Sequence, residues 1–245
     1  MPITISNSIS NENVDNYLDI WKKLWSVRDT AWHLENRHPV LVKYDHLLTN
    51  NENNSNKKRF LFPLCGKNVD MKWYWETGHK VIGVECADEA IDDFFSVNKI
   101  SHKSYLSSEL EKCKIFETND KNLKILQTNF LTLDSPQLKH TIDAVWDRGS
   151  FGTITYEEQV LYANTMRHLL APDFHYLLLV LEFDDNLFKG PPFSISEERV
   201  NHLYGSFCNI DKLESTVPQH VQLYQNHMKQ SIQVQETVYL LTKKQ

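Results

Sequence analysis

The stretch Phe60-Leu-Phe-Pro-Leu-Cys-Gly66-Lys-Asn-Val-Asp-Met-Lys-Trp-Tyr-Trp-Glu-Thr-Gly78-His-Lys-Val-Ile-Gly-Val-Glu85 decides the fold. Its pattern predicts a short buried strand from Arg59 to Phe62, a loop centred on Gly66 and a helix from Val69 to about Thr77. Gly78 ends that helix, and a second apolar strand from Lys80 to Val84 finishes on the acid Glu85. This is a βαβ unit with a carboxylate at the tip of its second strand, about twenty residues after the glycine loop. That spacing places the acid against the ribose hydroxyls of a bound nucleoside, because a carboxylate accepts two hydrogen bonds from a vicinal diol. The loop is not G-x-G-x-x-G. Its single glycine between Cys65 and Lys67 is poorly suited to hugging a pyrophosphate, and a nucleoside without phosphate, such as S-adenosylmethionine, fits better. An ordinary α/β crossover with a surface glutamate is the bland alternative for this segment taken alone.

The rest of the chain extends the pattern. Apolar residues at Val14, Tyr17, Leu18, Trp21, Leu24 and Trp25 have helical spacing, and a second helix is expected from Pro39 to Leu48. Residues 1–13 read as a loose tail and Thr49 to Asn56 as an Asn-rich loop. Ala87 to Asn98 and Tyr156 to Leu170 read as helices. A hairpin of Lys114 to Thr118 and Leu123 to Gln127 flanks the turn at Asn119–Asn122. Ile142 to Trp146, Phe174 to Glu182, Asn209 to Val217 and Ser231 to Thr242 read as strands. Ser196 opens a helix to Tyr204, with Glu197 and Glu198 in its first turn. Strands alternating with helices predict a mostly parallel sheet with helices on both faces.

Composition narrows the function. The 245 residues suffice for one α/β domain, and 41% hydrophobic and 11% aromatic residues suit a packed core. A net charge of −6 argues against nucleic acid as a partner, since phosphates recruit basic faces. Cys65, Cys86, Cys113 and Cys208 are far apart without metal-ligand spacing, so neither a metal nor a disulfide framework is expected. The N-terminus lacks the pattern of a secretory signal, and the longest apolar run, Tyr176 to Leu181, is too short for a bilayer. A soluble, reduced, cytoplasmic protein is the expectation.

The loop Phe62-Pro-Leu-Cys-Gly-Lys67, the run Trp73 to Glu85, Trp146-Asp-Arg-Gly149, Gly190-Pro-Pro-Phe193 and Val238-Tyr-Leu-Leu-Thr242 together resemble the thiopurine S-methyltransferase family. The resemblance runs from about Trp21 to the C-terminus. It implies a Rossmann-like class I methyltransferase fold: a seven-stranded, mostly parallel sheet in a single domain over 1–245, with a helical lid over 14–48 and the core over 57–245. The implied cofactor is S-adenosyl-L-methionine and the implied acceptor a small aromatic or heterocyclic thiol, in a monomeric enzyme.

The candidate site residues lie at strand ends, where ligands sit in open α/β sheets. By resemblance, Leu64 touches the methionine part through its backbone and Glu85 holds the ribose. Asn129 and Phe130 match the adenine-binding pair, although a turn asparagine beside a core phenylalanine is an equal reading of those residues alone. Tryptophans at helical spacing are usually core, but the resemblance makes Trp21, Trp25 and Trp32 part of the lid. An aromatic lid suits a sulfonium cation, which is attracted to π faces. Trp32 stands where the family usually has Phe, facing the substrate. Arg148 borders both cofactor and acceptor in the family, where its charge would favour a thiolate; a salt-bridged structural arginine is the alternative. Pro191, in Gly190-Pro-Pro-Phe193, belongs to a rigid loop over the acceptor pocket. The family's second arginine near the acceptor is missing from Leu223-Tyr-Gln-Asn-His-Met228, where Gln225, Asn226 or His227 would occupy its place. Rival readings are a same-fold methyltransferase of thiocyanate, halide, sulfide, selenium or arsenic species, a nicotinamide-dependent dehydrogenase, and a catalytically silent binding protein.

Overall fold

The computed structural model describes residues 17–30, 32–49, 57–218, 225, 228 and 231–244. The expected tail, the Val14 start of the first helix, most of the Asn-rich loop, Asn226 and His227 lie outside these. Six helices, α1 (Tyr17–Ser26), α2 (Pro39–Thr49), α3 (Asp70–Glu76), α4 (Asp88–Val97), α5 (Tyr156–Leu169) and α6 (Glu197–Tyr204), accompany nine strands among the described residues. The strands are β1 (Arg59–Pro63), β2 (Lys80–Glu85), β3 (His102–Leu106), β4 (Lys114–Thr118), β5 (Leu123–Gln127), β6 (Ile142–Arg148), β7 (Leu170–Glu182), β8 (Cys208–Thr216) and β9 (Gln235–Lys243). They form one sheet in the order β3-β4-β5-β2-β1-β6-β7-β9-β8. The five central strands, β5 to β7, are mutually parallel. The β3–β4–β5 meander on one side and β9–β8 on the other are antiparallel. The expectation of seven strands is corrected to nine. Strand β3 escaped the sequence reading because all five of its residues are exposed, so its side chains carry no apolar alternation.

Alternation on β1 builds two cores. Phe60 and Phe62 point to one face with Leu41 and Leu48 of α2, Met71 and Tyr74 of α3, and Phe94 of α4. Leu61 points to the other with Tyr162 and Met166 of α5 and Val200 and Tyr204 of α6. Helix α5 begins with a capping box: Thr155 accepts the Glu158 N–H at 3.2 Å and Glu158 accepts the Thr155 N–H at 2.8 Å. Ser196 caps α6 by accepting the Arg199 N–H, as its position before two glutamates predicts.

The chain leaves β1 for β2 on one side, then returns from β5 to β6 on the other. Strand order reverses between β1 and β6, which opens a crevice at their carboxyl ends.

Candidate active site

The loops after β1, β2, β5 and β6 all deliver residues to one cavity of about 180 Å³ at this reversal point. Its lining includes Leu64, Glu85, Asn129, Phe130 and Arg148 from the strand ends, and Trp21, Trp25, Trp32 and His33 from the N-terminal segment above them. Pro192 and Phe193 line it from the β7–α6 connection. Pro191 is buried behind them and is not among the lining residues, so the expected contact passes to its two neighbours.

The β1 loop is shaped by two residues with left-handed backbone, Leu64 at φ 42° and Gly66 at φ 51°. A leucine there carries strain of the kind found at ligand-binding turns. Gly66 is required twice. Beyond its φ, a Cβ at this position would stand 2.9 Å from His33 Cε1 and from Trp25 Cζ2, so the N-terminal segment packs directly on its backbone.

Glu85 is 6% exposed, and its carboxylate is held by three backbone donors. The Gly66 N–H reaches one oxygen at 2.8 Å, and the Cys86 and Ala87 N–H groups reach the other at 2.7 and 2.9 Å. The Cys86 thiol also hydrogen-bonds this carboxylate, so a ligand's hydroxyls would compete with donors of the protein itself. Asn129 spends its side-chain oxygen on the Leu131 N–H at 2.9 Å, capping a short 3-10 turn over Phe130–Thr132, so its amide group is the part left for a ligand. Phe130 packs on Tyr162 with ring centres 4.7 Å apart and is 2% exposed; it is core and cavity floor at once.

The tryptophans form the roof. Trp32 meets Trp21 and Trp25 edge-to-face, with ring centres 5.4 and 6.2 Å apart. Trp25 also packs on Ala87 and Ala90 at the start of α4. Polar contacts tie the roof to the walls: Trp21 Nε1 donates to the Thr153 carbonyl at 3.2 Å, and Arg148 Nη1 donates to the Trp32 carbonyl at 2.9 Å. Asp93 on α4 accepts from Arg28 at 3.1 Å and from Lys67 at 3.4 Å. Below Arg148, Asp147 is fully buried and accepts the Tyr162 and Tyr176 hydroxyls at 2.5 and 2.6 Å, with burial pushing its carboxyl pKa up. Ser150 donates to the Pro63 carbonyl at 2.7 Å and so fastens the β6 turn to the β1 loop.

Three cavity residues escaped the sequence reading. His33 Nε2 is buried without a hydrogen-bond partner among the described residues, and burial, then Lys67 and Arg148, lower its pKa from 6.5 to about 3. Asp70 at the start of α3 is held up to about 6 by burial, against the opposing pull of Arg37. The Trp146 indole N–H has no hydrogen-bond partner among the described residues. None sits in a spacing that signals chemistry; each acquires it only from the cavity. Cys65 and Cys86 also line the cavity, but burial pushes both thiols above their ordinary pKa, which argues against either as a nucleophile. Gln225 donates to the Ile232 carbonyl at 3.1 Å and is not among the lining residues, and Asn226 and His227 lie outside the described residues. Among the described residues, no group of three His, Cys, Asp or Glu is placed to hold a metal, and no helix is long and apolar enough to cross a membrane.

A family model described as thiopurine S-methyltransferase matches residues 16–244. The chain belongs to the thiopurine S-methyltransferase family. It is 34% identical to the thiopurine S-methyltransferase of Bos taurus over 229 residues, 93% of this chain and 90% of that protein. It is 33% identical to the probable thiopurine S-methyltransferase of Danio rerio over 204 residues, 82% of this chain and 86% of that one. Among solved structures, the Burkholderia thailandensis 1,6-didemethyltoxoflavin-N1-methyltransferase, bound to its substrate and S-adenosylhomocysteine, superposes with a TM-score of 0.61. The match covers 100% of this chain and 94% of that one at 15% identity. The N-methyltransferase NodS of Bradyrhizobium japonicum, in complex with S-adenosylhomocysteine, gives 0.61 at 11% identity over 94% of this chain and all of the other. At these identities the structural likeness speaks for the fold, which is that of the class I methyltransferases.

Proposed function

We propose that this protein is an S-adenosylmethionine-dependent methyltransferase acting on the sulfur of a small aromatic or heterocyclic thiol. One observation carries the reading. In a chain of this family, Glu85 and Arg148 reach a single cavity from opposite sides of the strand reversal, under a roof of three tryptophans.

The residues fit the cofactor. Glu85 takes the ribose hydroxyls in exchange for one of its present donors, the Asn129 amide and Phe130 meet the adenine, and the Leu64–Gly66 backbone meets the methionine part. Trp21, Trp25 and Trp32 present aromatic faces and edges to a sulfonium. When bound, the cofactor supplies a methyl group already activated by a positively charged sulfur, so the protein chiefly aligns the nucleophile and excludes water. Arg148 does both. One of its five N–H donors holds the roof down through the Trp32 carbonyl, and its charge lowers the pKa of an acceptor thiol beside it. With the cofactor held by these residues, the acceptor thiol's proton would go to solvent and its sulfur would take the methyl group, the bonding electrons staying with the cofactor's sulfur. Pro192, Phe193 and Trp32 wall the acceptor. The whole chain works as one methyltransferase unit, monomeric and cytoplasmic.

The test pairs calorimetry with turnover. S-adenosylhomocysteine should bind and NAD should not. Methyl transfer to benzenethiol should be measurable, and Arg148→Ala should lower it and move its pH dependence upward, because the thiol ionises less readily without the charge. Absence of S-adenosylhomocysteine binding would refute the cofactor assignment. An unshifted pH profile with full activity would leave Arg148 with a structural role only.

A further inference from the structure

Three carboxylates line the cavity among the described residues: Asp70, Glu85 and Glu158. Two are committed. Glu85 holds three backbone N–H groups, and Glu158 closes the capping box of α5. Asp70 sits just past the β1 loop, where its own N–H donates to Asn68 Oδ1 at 2.8 Å. Strand β1 lies beside β6, whose last residue is Arg148. Asp70 Oδ1 is sealed behind Arg37 Nε at 3.5 Å, without a hydrogen bond. Oδ2 is not sealed in this way, and the 3% of Asp70 that stays accessible is at the cavity it lines. Burial holds the carboxyl up at about 6, against the pull of Arg37, the His38 backbone and Arg148. Tyr74 also faces it, but that hydroxyl is given to Asp45, which shares Arg37. A carboxylate of this kind is ionised at neutral pH and still basic enough to take a proton. The cavity's histidines are poorer bases or engaged: His33 is held near 3, and His38 Nδ1 accepts the Val40 N–H at 3.3 Å.

We propose that Asp70 is the general base of the methyl transfer: its Oδ2 takes the acceptor thiol's proton as the sulfur attacks, and afterwards releases it to solvent. The inference rests on the S-methyltransferase reading above and adds the group that starts the proton on its way out. The S–H bond breaks and an O–H bond forms on Asp70. The electron pair left on the acceptor's sulfur makes the new bond to the methyl carbon, and the pair of the bond broken at that carbon stays with the cofactor's sulfur. Arg148 and Asp70 divide the work. A guanidinium stabilises negative charge on sulfur but has no lone pair for a proton at neutral pH, so Arg148 can favour a thiolate without making one. The carboxylate across the cavity supplies the missing acceptor, within electrostatic reach of the same arginine. A site with both groups serves thiols that are not already ionised in solution.

The experiment compares phenylmethanethiol, un-ionised at neutral pH, with 4-nitrobenzenethiol, already a thiolate there. Both are assayed with the wild type and with Asp70→Asn, which keeps the shape and removes the base. The expected result is a fall of about 100-fold or more in kcat/KM for phenylmethanethiol, and a loss at least about ten times smaller for 4-nitrobenzenethiol. Equal losses on both thiols, or none on phenylmethanethiol, would overturn the proposal. Two measurements on the wild type stand even if the variant fails to fold. With phenylmethanethiol, kcat/KM should level off above about pH 6. A rise of about tenfold per pH unit, continuing toward the thiol's own pKa, would mean that only free thiolate reacts and would refute the base. Without turnover, the Asp70 carboxyl ¹³C resonance should shift when phenylmethanethiol binds the S-adenosylhomocysteine complex; a resonance that stays still would place the acceptor out of its reach. Failure of the wild type to methylate 4-nitrobenzenethiol, which needs no base, would instead strike at the S-methyltransferase reading itself, and the base would fall with it. Turnover of 4-nitrobenzenethiol with none of phenylmethanethiol would spare that reading and overturn the base alone.

Discussion

Lowering the pH from about 6.5 to about 5 should loosen the closed roof by about 2 kcal/mol, and His33 is the reason. In the closed roof its imidazole packs against Gly66, with Nε2 buried and unpartnered. Burial is the main cause of its low pKa. The Lys67 and Arg148 charges add to it, Asp93 opposes it, and the net result is a value of about 3. With the roof open, the ring is in water at its ordinary 6.5. Between about 3 and 6.5 the open form therefore binds the proton that the closed form refuses. The closed state is fully stable above that window and loses stability as the pH falls through it. Each tenfold rise in proton activity costs about 1.4 kcal/mol, so 1.5 pH units cost about 2 kcal/mol, a factor of about 30 in the opening equilibrium. Asp70, held up to about 6, has the opposite sign: its ionisation on raising the pH costs stability. It is present in wild type and variant alike, so the comparison cancels it. The assay is limited proteolysis between Trp21 and Trp32 near pH 7 and near pH 5, with tryptophan fluorescence alongside. The ratio of the wild-type cleavage rate to that of His33→Asn, which cannot take up the proton, should rise about 30-fold between the two pH values. Equal acid acceleration in both proteins would refute the reasoning.

Glu85→Gln should weaken S-adenosylhomocysteine binding by about 1.5–3 kcal/mol, roughly 10- to 100-fold in Kd by calorimetry, because the ribose loses a charged acceptor. Wild-type affinity in the folded variant would remove Glu85 from the site. Gly66→Ala should cost about 1–2 kcal/mol of stability from its left-handed φ alone. Its methyl group also meets Trp25 and His33, so the roof should remain protease-sensitive even with S-adenosylhomocysteine bound; an unchanged Tm together with a protected roof would contradict the close packing.

What the sequence disclosed follows from which forces write a pattern. Strands β1 and β2 face two cores, so their apolar runs are dense, and the glycines that stop or turn the chain bracket them. Helix α6 announced itself through Ser196 and its two glutamates, because capping is local chemistry. Strand β3 is solvent-exposed and pairs only with β4, so nothing in its own side chains marks it. The site divides the same way. Glu85, Leu64, Asn129 and Arg148 sit at strand ends, where fold grammar and family resemblance both point, and the structure gathers them at one cavity. His33 and Trp146 gain their interest from an absence, a polar atom with no partner, and no sequence pattern records a missing hydrogen bond.

Arg148 shows how the two kinds of information combine. Its position at the end of β6 was legible, and so was its charge. Its bond to the Trp32 carbonyl, 116 residues away in sequence, was not. That bond bears on the proposed role, since the group that would lower an acceptor's pKa also ties down the backbone of the roof. In the proposed reaction a closed roof and a polarised thiol would then depend on one residue, Arg148, and the roof residue it holds is Trp32. The backbone carbonyl accepts whatever side chain stands there. The Trp32 ring is therefore open to variation in shaping the acceptor pocket, while the latch beneath it stays the same.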